Sequence, residues 1–179
     1  MGMIIGKKIK ELMQGYPTIS DKYNVDGGYF EATAGAEQVE FGAVLSYGSA
    51  TGHYTVKTIT SANQVAGILI ASNVKLATTY PAEANVKVAD GDYIGVMTQG
   101  GIAVVLADSA VKADIKEGAK AYVTADGKFT TVSTNNFDIN AVFTGVVEAT
   151  FTSTTTGSGA EAVTTTTVDG LAEVKYNLF

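Results

Sequence analysis

The chain of 179 residues has no cysteine, no arginine and no tryptophan, and a single histidine and two prolines. Without cysteine there are no disulfides, no thiolate nucleophile and no cysteine-ligated metal, and the redox compartment stays open. All 12 basic residues are lysine against 18 acids, for a net charge of −6. A chain lacking the planar guanidinium fork and carrying that acidic balance is a poor reader of phosphates or base edges, so no nucleic-acid partner is expected. No apolar run approaches the roughly 18 residues that span a bilayer, so no membrane partner is expected either. Met3-Ile4-Ile5 is too short for a signal core, and Lys7, Lys8 and Lys10 follow it where a signal peptide would place them ahead. Gly6 stands where a myristoylation motif needs Ser or Thr. A soluble, untargeted protein is the expectation.

What is present is Ala, Gly, Val and Thr, with a hydrophobic fraction of 46% that argues against wholesale disorder. One pattern is written twice. Val88 to Val105 (VADGDYIGVMTQGGIAVV) overlays Ile115 to Val132 (IKEGAKAYVTADGKFTTV) at an offset of 27 residues, with Gly91 on Gly118, Gly100 on Gly127 and Val105 on Val132. Each copy reads as strand, Gly-bearing turn, strand. Gly100-Gly101 and Asp126-Gly127 supply the positive φ of two-residue hairpin loops, so two successive hairpins of one sheet or small barrel are expected. Two copies fall short of the three or more a solenoid needs.

Ahead of this unit, residues 3–13 carry Ile5, Ile9, Leu12 and Met13 at helical spacing, predicting a short amphipathic helix that Gly15 and Pro17 end. Residues 16–38 show no sustained period but hold Tyr16, Tyr23, Tyr29 and Phe30. Packing along a partner or along their own domain accounts for those rings. The first 38 residues are therefore an N-terminal arm and 39–179 a β domain. In that domain, strands are expected at Val39 and Phe41–Leu45, at His53–Ile59, at Val65–Ala71 as an apolar run buried on both sides, and at 74–80. A longer strand bulged at Gly145 runs Ala141–Phe151, and the last strand alternates from Leu171 to Phe179. Ser153–Gly159 is the one low-complexity stretch, a flexible loop or hairpin tip. Some ten short strands with turn signals between them give an all-β fold: a single sandwich or small barrel, jelly-roll or tulip-like, with an extended N-terminal arm.

Chemistry is sparse. His53 lacks the nucleophile and orienting acid of a triad, and there is no G-x-S-x-G context. Asp90, Asp92, Asp108, Asp114, Glu117 and Asp126 gather around the repeated unit without the D-x-D-x-D-G spacing of a calcium loop, and they read as turn residues. The glycines form no phosphate-cradling motif. No catalytic, cofactor or metal residue is assigned, and no enzyme is expected.

The order of features resembles the capsid cement (decoration) proteins of tailed phages. Gly15-Tyr16-Pro17-Thr18-Ile19-Ser20-Asp21 is similar to the family's arm, in which a Gly-x-Pro element leads to an acid. Phe41-Gly-Ala-Val-Leu45, Ala66-Gly-Ile-Leu69, Gly91-Asp-Tyr-Ile94, Gly101-Ile-Ala-Val-Val105 and Gly170-Leu-Ala-Glu-Val174 are similar to its strands in turn. The lysine-bearing residues 1–14 and the Ser/Thr/Gly stretch at 153–159 depart from its pattern. The resemblance implies a non-enzymatic virion protein, made in the host cytoplasm, that trimerises on the outer surface of a shell and clamps neighbouring major capsid protein subunits. It makes Tyr16, Pro17, Ile19, Tyr23, Tyr29 and Phe30 candidate anchors of a protein-binding arm. Two other readings compete. A bacterial surface or adhesin β module shares the Thr-rich, Cys-free composition. A lipoyl-like hammerhead would need Lys128 as its carrier lysine, yet Gly127 and Phe129 do not give the acidic setting such a lysine has.

Overall fold

A computed structural model describes residues 14–15, 17–18, 24–33, 38–71, 87–156 and 163–177. The helix expected over 3–13 and the strand expected over 74–80 lie outside them. The described chain is all β apart from two single 3-10 turns at Ala62–Gln64 and Lys112–Asp114. Its strands are β1 (Asn24–Phe30), β2 (Gln38–Glu40), β3 (Val44–Tyr47), β4 (His53–Thr55), β5 (Val65–Leu69), β6 (Lys87–Ala89), β7 (Tyr93–Val105), β8 (Lys120–Val123), β9 (Phe129–Thr130), β10 (Phe137–Thr156) and β11 (Val163–Asn177).

Five strands close on themselves. β1 pairs with β4, β4 with β3, β3 with β5, β5 with β7, and β7 returns to β1, so the ring has no free edge. The small barrel expected from the strand spacing is therefore present. From β7 the sheet continues through β11, β10 and β8 to β9. A bridge from Leu106 to Phe129 and the bond from the Ala107 amide to the Phe129 carbonyl bring β9 back to the end of β7. β2 and β6 form a separate two-stranded sheet whose Val39 and Val88 pack on the barrel core.

The long strand β7 is shared by both halves, and it corrects the first expected hairpin. Gly100-Gly101 is no turn, because β7 runs through it without reversing. Before it the strand pairs with β1 and β5, and after it with β11 over Val105 to Gln99. The glycines instead let β7 pass from one set of neighbours to the other: Gly100 has φ 137°, a conformation an L side chain avoids. The second copy does turn at Asp126-Gly127, but through a longer loop than the two residues expected. β8 and β9 pair Val123 with Phe129 across Thr124–Lys128, with Gly127 at φ 80°. The bulge at Gly145 is also found, in the register shift between Phe143 and Val147.

Hydrophobic residues divide between two cores. Phe30, Leu45, Tyr54, Leu69, Ile94 and Val96 fill one; Ile68, Met97, Ile102, Phe129, Phe143 and Tyr176 lie in the other. β5 and β7 separate them. Their register pairs Ile68 with Met97 and Leu69 with Val96, so successive side chains face opposite cores. This is why Val65–Leu69 carries no alternation: both of its faces are buried. At about 1.5–3 kcal/mol per large apolar side chain, these cores supply the main driving force for the fold.

β1 lies within the segment assigned to the arm by sequence. It has no clean period because Gly27 and Gly28 stand where side chains would be. A Cβ at Gly28 would fall 2.4 Å from the Tyr54 ring, and one at Gly27 would overlap the Tyr93 hydroxyl. Close aromatic neighbours, not chain flexibility, require these glycines.

Candidate functional site

Three surface features stand out once the cores are assigned. The first is the root of the arm. The Gly15 amide donates to the Ala103 carbonyl at 2.9 Å, the Thr18 amide donates to Gly101 at 2.9 Å, and Pro17 forms a bridge with Ile102. The root thus covers the β7 edge that β11 does not use. Gly15 is buried at φ 71°, its carbonyl accepting the Ala71 amide at 2.7 Å. Pro17 is exposed, and proline suits a position on an outer edge where no amide is required.

The second feature is an aromatic patch on the barrel wall. Tyr29 of β1 stands opposite Tyr93 of β7, with ring centroids 5.4 Å apart and edge-to-face at 77°. His53 of β4 packs on the other side of Tyr29 at 5.8 Å. Tyr29 and Tyr93 are 50% and 58% exposed, which marks them out among side chains of their size. Tyr47, 53% exposed, stacks at 6.3 Å on Tyr54. Acids border the patch. The Glu31 carboxylate lies 3.8 Å from the His53 ring and accepts both the amide and the hydroxyl of Ser49. Those two hydrogen bonds hold its pKa below the ordinary carboxylate value.

The third feature is a ribbon. β10 and β11 remain paired from Thr150–Asp169 out to Thr156–Val163. Phe151 and Val168 still pack on the core, with the Lys112 ammonium 5.8 Å from the Phe151 ring. Beyond them, residues 152–156 are all exposed. Hydroxyls pair across the ribbon at Ser153–Thr166 and Thr155–Thr164. The stretch read from its low complexity as a flexible loop or hairpin tip is thus hairpin strand at least as far as Thr156.

Of the candidate arm anchors, Tyr29 and Pro17 are on the surface. Phe30 is not: it is 1% exposed in the barrel core, because alternation along β1 turns it inward as Tyr29 turns out. Tyr16, Ile19 and Tyr23 lie outside the described residues. Tyr93, His53 and Tyr47 were not singled out as binding residues by sequence. Their sole signal was the aromatic start of a strand after Gly91-Asp92, and nothing local indicates that Tyr93 would lie beside Tyr29.

The Ser49 hydroxyl near His53 donates to Glu31. Among the described residues no group of three or more His, Asp or Glu converges as a metal site. Three carboxylates of the repeated unit accept backbone amides and a fourth accepts a neighbouring hydroxyl. Asp90 accepts the Ala32 amide, Asp92 the Ala89 amide, Asp108 the Val168 amide, and Asp126 the Thr124 hydroxyl. A cleft of about 520 Å³ between Tyr47, Asn63, Val65 and Asp138 to Asn140 holds no nucleophile–base pair.

Comparison with known proteins adds the family. The model for the family described as "Structural cement protein (E217 gp24/Pam3 gp6)" matches residues 11–177. Among solved structures, the fold is similar to a chain of "The capsid of Myoviridae Phage XM1", with a TM-score of 0.55 and 14% identity over 100% of this chain and 98% of that one. At that identity the likeness is one of fold. No curated protein matches.

Proposed function

This chain belongs to the structural cement protein family, and from that premise we propose that it binds the outer surface of a phage capsid and stabilises it by bridging major capsid protein subunits. A capsid-associated structural role follows from the family itself. The finer reading rests on one observation above all: the surface features are built for contact, not for chemistry. An arm root, an exposed tyrosine patch and a neutral Thr ribbon all emerge from one rigid body. Tyrosines bury amphipathic area at low entropic cost. Pro17 and Tyr29, with Tyr16, Ile19 and Tyr23, anchor the arm on the shell; Phe30 belongs to the barrel.

In this reading the protein acts as a homotrimer, made in the host cytoplasm and resident on the virion surface. Symmetric placement lets contacts that are individually weak combine through effective concentration. The mass in solution, by light scattering behind a sizing column, tests the oligomer: a value near three times 18.5 kDa is expected. Co-sedimentation with mature capsids tests the role. Failure to pellet with capsids, by monomer and trimer alike, would overturn it.

A further inference from the structure

The patch of Tyr29, Tyr93 and His53 has a feature that burial alone does not explain, which is the sign of the charge around it. Two acids approach it from different elements. Glu31, just after β1, lies against His53. Asp90, in the turn before β7, is exposed and close enough to Glu31 to be felt electrostatically. Asp26 shares the face of β1 that Gly28 and Phe30 turn toward Tyr54, and so does not border the Tyr29 ring. Among the described residues, the Lys57 ammonium is turned to the Tyr47 carbonyl at the end of β3, 3.4 Å away. The rings are not there to fill the barrel, since both tyrosines are more than half-exposed or at the half mark. Their placement is nevertheless fixed: the Tyr93 hydroxyl lies over Gly27 where any Cβ would collide with it. An immobilised pair of ring edges and faces inside an acidic border is electrostatically complementary to a cation, which the ring quadrupole and the carboxylates attract together.

We propose that the Tyr29–Tyr93–His53 patch, bordered by Glu31 and Asp90, is a docking site for an arginine-bearing extended segment of a partner protein. The chain carries no arginine and a net charge of −6, so a second copy of it is a poor source of that segment. The proposal deepens the capsid reading and rests on it only for which protein supplies the segment; the chemistry of the surface stands without it. The guanidinium stacks on Tyr93 or Tyr29 while its N–H groups reach a carboxylate, and the segment's backbone lies along the exposed barrel wall.

The test separates the two ideas. The isotopically labelled full chain is titrated with a short peptide of alternating serine and arginine, and in parallel with its serine–glutamate counterpart, while amide shifts are followed. The arginine peptide is expected to shift Gly27, Tyr29, His53 and Tyr93 saturably and to lose affinity with added salt, with no response to the glutamate peptide. Tyr93→Ala should weaken binding about two- to fivefold, the worth of one exposed cation–π contact, and Asp90→Asn should weaken it in the same direction. Tyr29→Leu, which keeps an apolar side chain on β1, serves as the ring deletion in a background that retains strand packing. An arginine peptide that produces no saturable shift, or one matched by the glutamate peptide, overturns the proposal even if the protein still pellets with capsids. Binding of the peptide by a protein that ignores capsids upholds the surface and overturns the capsid reading instead.

Discussion

Replacing Gly15 by Ala is predicted to release the arm root while leaving both cores intact. Two costs act at this position. The φ of 71° places an L side chain in the left-handed region, worth about 1–2 kcal/mol. The new Cβ would also stand 2.4 Å from the Phe41 Cβ, 2.5 Å from the Gly42 nitrogen and 2.8 Å from the Phe41 carbonyl carbon. Two of those three are backbone atoms that cannot swing aside. Against this stand three backbone hydrogen bonds: Gly15 to Ala103, Thr18 to Gly101 and Ala71 to Gly15. At a net of about 1 kcal/mol each, they total about 3 kcal/mol, which strain and overlap together match. Local opening is therefore the cheaper response, because the barrel ring closes without the root. Hydrogen exchange reads this directly. Losing about 2–3 kcal/mol of protection should speed exchange at Thr18 and Ala71 by roughly 30- to 150-fold, while the amides of Phe143 and Val174 keep their rates. Unchanged exchange at Thr18 and Ala71 would refute the reasoning. So would a uniform acceleration across the cores, which would make the root part of the global unfolding unit.

Four further outcomes are expected. Joining Thr152 to Thr167, a register pair, through Asn-Gly removes the outer ribbon; its exposed residues contribute so little to the body that Tm should shift by no more than about 4 °C, read by calorimetry. Tyr176→Phe should raise stability by about 1 kcal/mol in denaturant titrations, because the Tyr176 hydroxyl is buried with no partner among the described residues and burial already pushes its phenol pKa well up. Thr18→Val should slow exchange at Thr18 by up to about fivefold for the same reason, its hydroxyl being buried without a described partner at the arm root. Asp138→Asn removes the ion pair with Lys120. The hydrogen bond from Lys120, followed by that from the Asn140 amide, holds the Asp138 carboxyl below 3.8. The contribution is therefore fully present above pH 3.8 and is lost as pH falls through the lower folded value. Wild type and variant should differ by at most about 1 kcal/mol at neutral pH, as befits a surface pair, and converge in acid.

The parts of the fold legible in the sequence are those where a local pattern dictates a local conformation. Asp126-Gly127 marked its hairpin because the turn needs a positive φ, though the loop runs Thr124–Lys128 and not over two residues, and Gly145 marked its bulge for a similar reason. Val65–Leu69 was readable as doubly buried because nothing polar interrupts it. Gly100-Gly101 shows the limit: the same dipeptide suits a tight turn or a strand changing partners, and only β11, some 70 residues later, decides between them. β1 was hidden in the arm because Gly27 and Gly28 erase the alternation that Tyr29 and Phe30 would have continued. The tyrosine patch was hidden because its two rings come from strands far apart in the chain. Family likeness carried across these gaps because it rests on the order of elements, which survives where local periods fail.

If the protein bridges subunits, the bridge can hold no more than its weakest joint, and among the described residues that joint is the arm root. β7 spans 13 residues, about 43 Å at 3.3 Å per residue, with Tyr93 at its start and the arm root at Gly101 to Ala103. It is paired at six positions with β1 and at seven with β11, so a load entering at the patch is distributed across both halves of the molecule. Among the described residues the arm root is held to β7 by two hydrogen bonds and to Ala71 by one. Tension between a partner on the arm and a partner on the patch would therefore open the root long before it displaced β7. If the protein bridges capsid subunits as proposed, the cohesion it adds through its arm is limited at Gly15, Pro17 and Thr18 and not by the barrel. Arm-root variants and core variants should consequently separate: the first lowering capsid stability with the free protein's Tm nearly unchanged, the second doing the reverse until the fold itself fails.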